Sequence, residues 1–262
     1  MGILNLTPDS FSDGGRFTKP DAALAQVERM LQEGASIIDI GGYSTRPFAE
    51  DISPEEELKR VETITGMIID RFPEAIISID SFRVKVAKAM IEQGAHIVND
   101  VFAGRDSEEM MRMVAGYGNV PYIMMHMKGT PQNMQKAPQY ESVVAEVLTF
   151  FTERLSMARR LGIVDVVLDP GFGFGKTLHH NYQLLEGLND LTSLDTPLLA
   201  GISRKSMIYK FFHTDPGDVL EITTALHLKV LEKGAGILRV HDVKAAARII
   251  QLFGYLKEHG II

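Results

Sequence analysis

Residues 75–99 read AIISIDSFRVKVAKAMIEQGAHIVN, and three pieces separate within them. Ala75–Asp80 is an apolar run that ends in a carboxylate, Arg83–Gln93 has helical periodicity, and His96–Asn99 is apolar again and ends in an amide. Gly94 sits just past the helical piece, where a left-handed cap needs no Cβ. A strand buried on both faces reads as a continuous apolar run, as do SIIDI at 36–40, AIISI at 75–79 and VVL at 166–168, so the sheet is predicted to be parallel. The same strand–helix unit recurs along the chain. Strands are predicted at Met1–Asn5, Ser36–Ile40, Ala75–Asp80, His96–Asn99, Pro121–His126, Val164–Asp169, Pro197–Ser203 and Gly236–His241. Helices are predicted at Pro20–Glu33, Ser53–Phe72, Arg83–Gln93, Ser107–Tyr117, Tyr140–Leu161, His180–Leu191, Leu220–Lys233 and Val243–His259. Ser53-Pro54 offers an N-cap with proline at the first helical position, and Gly34, Gly162, Gly234 and Gly260 follow other helix ends. With no composition break to mark a linker, residues 1–262 read as a single α/β domain, a (β/α)8 TIM barrel of about 33 residues per unit. A doubly wound open sheet uses the same alternation, and the count of units favours the barrel.

Composition narrows the function. The 27 basic residues against 34 acidic ones give a net charge of −7, which repels phosphate backbones and argues against nucleic-acid binding, so an anionic ligand needs a local basic cluster. Zero cysteines exclude a disulfide scaffold, a thiolate metal site and a cysteine nucleophile, and make the cytoplasm the expected compartment. The first fifteen residues lack the basic start and apolar core of a signal peptide, and no window reaches a membrane-span length of apolar residues. Met1-Gly2 lacks the hydroxyl residue that myristoylation wants at position 6, which is Leu6, and the Asn5-Leu6-Thr7 sequon should meet no glycosylation machinery.

In a barrel the C-terminal strand ends converge on one face. Here they are Asn5, Gly41-Gly42 leading to Ser44-Thr45-Arg46, Asp80, Asn99-Asp100, His126, Asp169, Ser203-Arg204-Lys205, and Arg239 with His241. Asp80, Asn99, Asp169 and Lys205 aim acceptors and donors at one axial space, which suits a flat heterocycle with an amidine-like edge. Asn5, Arg46, Arg239 and His241, from strands adjoining on closure, form an electropositive group suited to phosphate; simple pairing of Arg46 and Arg239 with surface acids competes with that reading. Together they suggest a heterocycle carrying a phosphate or pyrophosphate. Asp100 and Asp106 read as turn or cap residues. Pro170–Thr177 resembles a nucleotide P-loop, but Pro170 replaces its first glycine; its glycines still allow close backbone approach, and Phe174 is placed to stack on a planar ring. His179-His180 has no partner at metal-ligand spacing, and the 13 methionines read as core filling. A Schiff base at Lys205, as in barrel aldolases, is the competing enzymatic reading.

These residues carry a resemblance. Gly2–Gly15 (GILNLTPDSFSDGG), Ser44–Pro47, Ser78–Asp80, Ile97–Asp100, Met125–Met127, Leu168–Lys176, Ser203–Ser206 and Arg239–Asp242 together resemble the dihydropteroate synthase family, in order along nearly the whole chain. The first stretch is highly specific and the others are individually weaker. The resemblance implies a transferase that condenses 6-hydroxymethyl-7,8-dihydropterin pyrophosphate with p-aminobenzoate, releasing pyrophosphate and giving 7,8-dihydropteroate, by an SN1-like, Mg²⁺-dependent displacement. It places the pterin at Asp80, Asn99, Asp169, Lys205 and, with the stacking argument, Phe174. It places pyrophosphate at Asn5, Arg239 and His241, to which the electropositive grouping adds Arg46, with Asn5 also on Mg²⁺, and p-aminobenzoate at Phe11, Thr45, Pro47 and Ser206. Asp80, Lys205, Arg239 and His241 are the residues implied in the chemistry. The resemblance also implies a homodimer, and the family is a target of sulfonamides. The chain departs from the pattern at Tyr43, where the family usually has Glu or Gln, and its first residues already belong to strand 1, where relatives usually carry more chain. Pterin methyltransferases share the barrel and the Asp/Asn contacts, but the TPDSFSDGG loop and the Arg239/His241 pair favour the synthase. Arg46, Lys205 and Arg239 together argue against a non-catalytic pterin binder.

Overall fold

The computed structural model describes residues 1–7, 19–44, 51–105, 107–131, 133–134 and 137–262. Among them eight strands run parallel in sequence order: β1 Gly2–Asn5, β2 Ile37–Gly41, β3 Ile76–Asp80, β4 Ile97–Asp100, β5 Tyr122–Met125, β6 Val166–Asp169, β7 Leu198–Ala200 and β8 Ala235–Leu238. The ring closes where Gly2 bridges Val240: Ile3 N–H donates to the Val240 carbonyl at 3.0 Å and Val240 N–H donates to Met1 at 2.9 Å. A sequential, closed order is the barrel and excludes the doubly wound sheet.

Outside the strands lie α1 Lys19–Gln32, α2 Pro54–Arg71, α3 Val84–Gln93, α4 Glu109–Tyr117, α5 Val143–Leu161, α6 Leu178–Glu186, α7 Ser206–Tyr209, α8 Leu220–Glu232 and α9 Val243–Glu258. The expected end signals are in place: the Ser53 hydroxyl accepts from Glu56 N–H at 3.1 Å, ahead of Pro54. Gly94 and Gly162 close α3 and α5 in the left-handed conformation. Five elements differ from the sequence expectation, two of them β7 and β8, which stop at Ala200 and Leu238, three residues before the expected Ser203 and His241. α5 starts three residues after Tyr140, because Ser142 caps it. The segment expected as one helix at His180–Leu191 is α6 followed by a 3-10 turn over Leu188–Leu194, and the break falls at Gly187, where a Cβ would meet Val144 at 2.6 Å. The short α7 was not expected at all.

Strand alternation sorts the side chains. Leu4, Ile38, Ile40, Ile77, Ile79, Val98, Tyr122 and Leu168 pack with the helices in one buried apolar cluster. The residues between them point into the barrel, where Asp39 and Ser78 are register partners joined by a 2.6 Å hydrogen bond. The closed ring therefore carries polar groups inward toward the end where its strands stop.

Candidate active site

Asp39 is the centre of that interior. It has no exposed surface, and an isolated buried carboxylate would be prohibitively desolvated. Three donors offset this: Ser78 Oγ at 2.6 Å, Asn99 Nδ2 at 3.2 Å to Oδ2, and Arg239 Nε at 2.6 Å. The other arm of the same guanidinium, Nη2, donates to Asp80 Oδ2 at 2.6 Å. Arg239 thus bridges two aspartates, and they hold its pKa above the usual range against the effect of burial. Burial raises the Asp80 carboxyl to about 7, with Asp39 and Glu57 adding to the rise while Arg239 and Lys205 oppose it. The register partner of Asp80 on β2 is Gly41.

The opposite wall is built by β6 and β7. Asp169 ends β6, accepts from Gly171 N–H at 2.8 Å, and is pushed up by burial. Lys205, just ahead of α7, is lowered to about 8 by burial, with Asp169 and Asp80 opposing that and Arg239 assisting it. Its ammonium lies 4.1 Å from the centre of the Phe174 ring, a cation–π contact. Met125, the register partner of Asp169, belongs to a small apolar group with Val101, Met127 and Met134, packed by Phe82, Phe102 and Phe174. This group is distinct from the main core. An apolar surface beside a ring of donors and acceptors is what a flat polar heterocycle requires.

His241 accepts or donates to Ser203 Oγ through Nδ1 at 3.1 Å, and its backbone N–H also donates to that hydroxyl. Burial and the nearby Arg204, Arg239 and Lys205 lower its pKa to about 4. The ring is therefore neutral at pH 7, a hydrogen-bonding group set beside the cations Arg204, Arg239 and Lys205. Arg204 itself forks onto Asp242 at 3.0 and 2.6 Å.

The structure brings Asp80, Asn99 and Arg239 into one hydrogen-bonded network and sets Asp169, Lys205 and Phe174 against it. Asn5 ends β1 beside Gly41, and Ser206 opens α7 next to Lys205. Phe11, Thr45, Arg46 and Pro47 lie outside the described residues, as does Asp106. Asp100 takes its expected structural role, accepting from Phe102 N–H at 2.8 Å and Gly104 N–H at 2.9 Å. The lysine of the P-loop-like stretch is enclosed by the protein itself. Lys176 is buried, lowered to about 7 by desolvation, and held by His126 Nδ1 at 3.0 Å and the carbonyls of Gly171 at 2.9 Å and Phe174 at 3.1 Å. Asp39 was missed in sequence, although a lone acid inside SIIDI, in a strand buried on both faces, must have buried partners.

Residues 1–241 match the family of pterin-binding enzymes. The chain is 44% identical to a dihydropteroate synthase of Haemophilus influenzae over 255 residues, covering 97% of this chain and 92% of that one. It is 43% identical to that of Escherichia coli over 264 residues, covering 99% and 93%. Among solved structures, a Yersinia pestis dihydropteroate synthase in complex with a sulfonamide drug superposes with a TM-score of 0.91 at 39% identity, covering 98% of this chain and 93% of that one. A Xanthomonas albilineans dihydropteroate synthase in complex with 7,8-dihydropteroate gives 0.87 at 39% identity, covering 98% and 92%. A match along the whole barrel, at these identities and with the strand-end residues in place, means that the chain belongs to the dihydropteroate synthase family of pterin-binding enzymes.

Proposed function

We propose that the mouth of this barrel performs the reaction of its family: p-aminobenzoate displaces pyrophosphate from 6-hydroxymethyl-7,8-dihydropterin pyrophosphate, forming 7,8-dihydropteroate for folate biosynthesis. The observation that carries the reading is the convergence of Asp80, Asn99, Asp169 and Lys205 beside the apolar surface of Met125 and Phe174. Asp169 accepts from the amidine-like edge of the pterin, Asn99 and Lys205 supply the complementary amide and ammonium, and Phe174 stacks on the ring. The C–O bond to pyrophosphate breaks before the C–N bond forms, leaving positive charge on the pterin methylene. Asp39, Asp80 and Asp169 set carboxyl oxygens around the space where that charge develops, and Arg239 and Lys205 hold Asp80 and Asp169 toward their ionised forms, which favours it. A neutral arylamine captures such a cation through its nitrogen lone pair and then loses one N–H proton to water or to the released pyrophosphate, so no dedicated base and no imine at Lys205 is called for.

Pyrophosphate is assigned to Arg239, His241, Asn5 and Arg46, and p-aminobenzoate to Ser206 with Phe11, Thr45 and Pro47. The Asn5 side-chain amide has no hydrogen bond among the described residues, so it can present one hard oxygen to Mg²⁺. Asp39 and Asp80 are bridged by Arg239, and no cluster of three or more His, Cys, Asp or Glu suited to a metal occurs among the described residues. The residues present fit an ion held by Asn5 together with phosphate oxygens and water, the usual habit of Mg²⁺. Bound there, it supplies neutralisation of the departing pyrophosphate. The Yersinia pestis relative, solved with a sulfonamide, supports assigning a sulfonamide-sensitive arylamine site here. No described helix is long and apolar enough to cross a membrane, and the absence of cysteine supports the cytoplasm as the compartment. A homodimer is assigned from the family.

Purified protein given the pterin pyrophosphate, p-aminobenzoate and Mg²⁺ should release pyrophosphate only when both substrates are present. Asp169→Ala should weaken pterin binding by roughly 1.5–3 kcal/mol, the value of a hydrogen bond to a charged group, with the fold retained. Wild-type pterin affinity in folded Asp169→Ala protein would sink the assignment.

A further inference from the structure

The glycine-rich stretch 170–177 binds no nucleotide, but it still has to satisfy its own backbone. Gly171, Gly173 and Gly175 all take the left-handed conformation, with φ of 69°, 83° and 62°. The loop they permit lies directly on the chain that leaves β5. A Cβ on Gly171 would meet the His126 carbonyl at 2.0 Å, and one on Gly175 would meet the Lys128 carbonyl at 2.2 Å. So close an approach leaves no room for water at those points, and carbonyls turned into the contact need donors from the protein.

Lys176 supplies them. Its side chain is 3% exposed, its ammonium carries three protons, and three acceptors stand within 3.1 Å: His126 Nδ1 and the carbonyls of Gly171 and Phe174. Burial keeps the His126 imidazole neutral, so its Nδ1 can accept. The carboxylate whose charge supports the ammonium is Asp169, and that support does not offset desolvation, which takes Lys176 down to about 7. A methionine would fill the same volume without burying a charge. What Lys176 adds is therefore the set of hydrogen bonds that closes the loop.

The closed loop carries part of the site. Gly171 N–H donates to Asp169, Gly173 passes so near Lys205 that a Cβ would meet its Cδ at 3.2 Å, and the Phe174 ring faces the Lys205 ammonium. Two tethers hold the loop from its other side: Asn181 Oδ1 accepts from Gly173 N–H at 2.7 Å, and the Tyr140 hydroxyl donates to the Gly175 carbonyl at 2.9 Å. We propose that Lys176 is a positioning residue for the pterin half of the site: it gathers Gly171, Phe174 and His126 so that the β6–α6 loop presents the Phe174 ring to the pterin beside Lys205. The inference rests on the dihydropteroate synthase reading, which gives Phe174 a pterin to meet. Enclosed beneath the loop, Lys176 meets neither substrate and acts through Phe174.

The test is calorimetry with the pterin pyrophosphate and Mg²⁺, beside thermal unfolding, on wild type, Lys176→Met, Phe174→Leu, the double variant Lys176→Met/Phe174→Leu, and Tyr140→Phe. Lys176→Met keeps the bulk and removes the donors, and should weaken pterin binding roughly three- to tenfold, the worth of one well-placed aromatic contact. Phe174→Leu should weaken it by a similar factor. A misplaced ring has no effect once the ring is gone, so the double variant should bind within about twofold of Phe174→Leu. The unfolding temperature should fall by the same amount when Lys176→Met is made in either background, because the unmet carbonyls destabilise the fold with or without the ring. A double variant whose loss is the product of the single losses would show that Lys176 acts on the pterin independently of Phe174. Wild-type affinity in Lys176→Met would show that it serves stability alone. Either result overturns the proposal. If Lys176→Met does not fold, Tyr140→Phe decides, since it removes one tether of the same loop and leaves Lys176 every partner. Its pterin affinity should fall by about twofold or more, and an unchanged affinity would overturn the proposal. A wild type that does not bind the pterin pyrophosphate sinks the functional reading itself, whereas binding with unmoved variants sinks the role of Lys176 alone.

Discussion

Asp39 shows how a buried charge becomes useful. It receives Ser78, Asn99 and Arg239, and its own negative charge then acts on Asp80, which the shared guanidinium holds close by. Replacing Asp39 by Asn removes that repulsion and leaves Arg239 more fully committed to Asp80. Both changes favour the ionised form of Asp80. Its carboxyl, lifted to about 7 in the native protein, should therefore titrate at lower pH in Asp39→Asn, as followed by carbon-detected NMR of the Asp80 carboxyl. An upward or absent shift would show that burial alone sets the Asp80 proton. Sequence reading found Asp80, Asn99, Asp169 and Arg239 because they stand at strand ends, where barrel chemistry collects. It missed Asp39 because that carboxylate lies one alternation deeper, inside a run that otherwise reads as apolar. The depressed pKa of His241 was not legible in sequence, because it is set first by burial and then by Arg204, Arg239 and Lys205, which only the fold brings together.

Strand and helix boundaries were legible to within a residue or two wherever periodicity and end residues agreed, as at Ser53-Pro54 and Gly94. They were less so where packing decided, as at Gly187, whose role is to let α6 approach Val144. Helix α8 carries a second kind of hidden information. His227 is buried on it with neither ring nitrogen hydrogen-bonded, and Thr223, one turn earlier on the same face, is also unpaired. Burial lowers the His227 pKa to about 4, so the folded protein keeps this ring neutral where the unfolded chain, titrating near 6.5, protonates it. Between those values the unfolded state binds more protons, and stability must fall as pH drops from about 6.5 toward 4. His227→Leu removes this linkage. Urea unfolding at pH 7 and pH 4.5 should show a smaller acid loss in the variant than in wild type, by up to about 2.4 kcal/mol. Equal losses would place the acid sensitivity elsewhere, with His241 the next group to replace, since it is depressed by the same cause.

At the scale of the whole barrel, what matters is depth. Closure of β8 onto β1 brings every strand end to one mouth, and the groups assigned to the pterin lie at its bottom, where Asn99 is 4% and Asp169 6% exposed. Ser206, assigned to p-aminobenzoate, opens α7 beyond the end of β7 and is more accessible, and Thr45 and Pro47 belong to the connection that follows β2. The arylamine must therefore approach the pterin methylene from the outer side. One already bound there would stand in the way of the larger substrate, and the pterin would itself supply one wall of the arylamine site. The pterin pyrophosphate should accordingly bind first. Calorimetry with p-aminobenzoate should show little heat with the free protein and clear saturable binding once a pterin and pyrophosphate with Mg²⁺ are present, a coupling of the two sites through occupancy. Equal affinity in the two titrations would refute the order while leaving the pterin site intact, because the arylamine would then find its contacts without the wall that the pterin supplies.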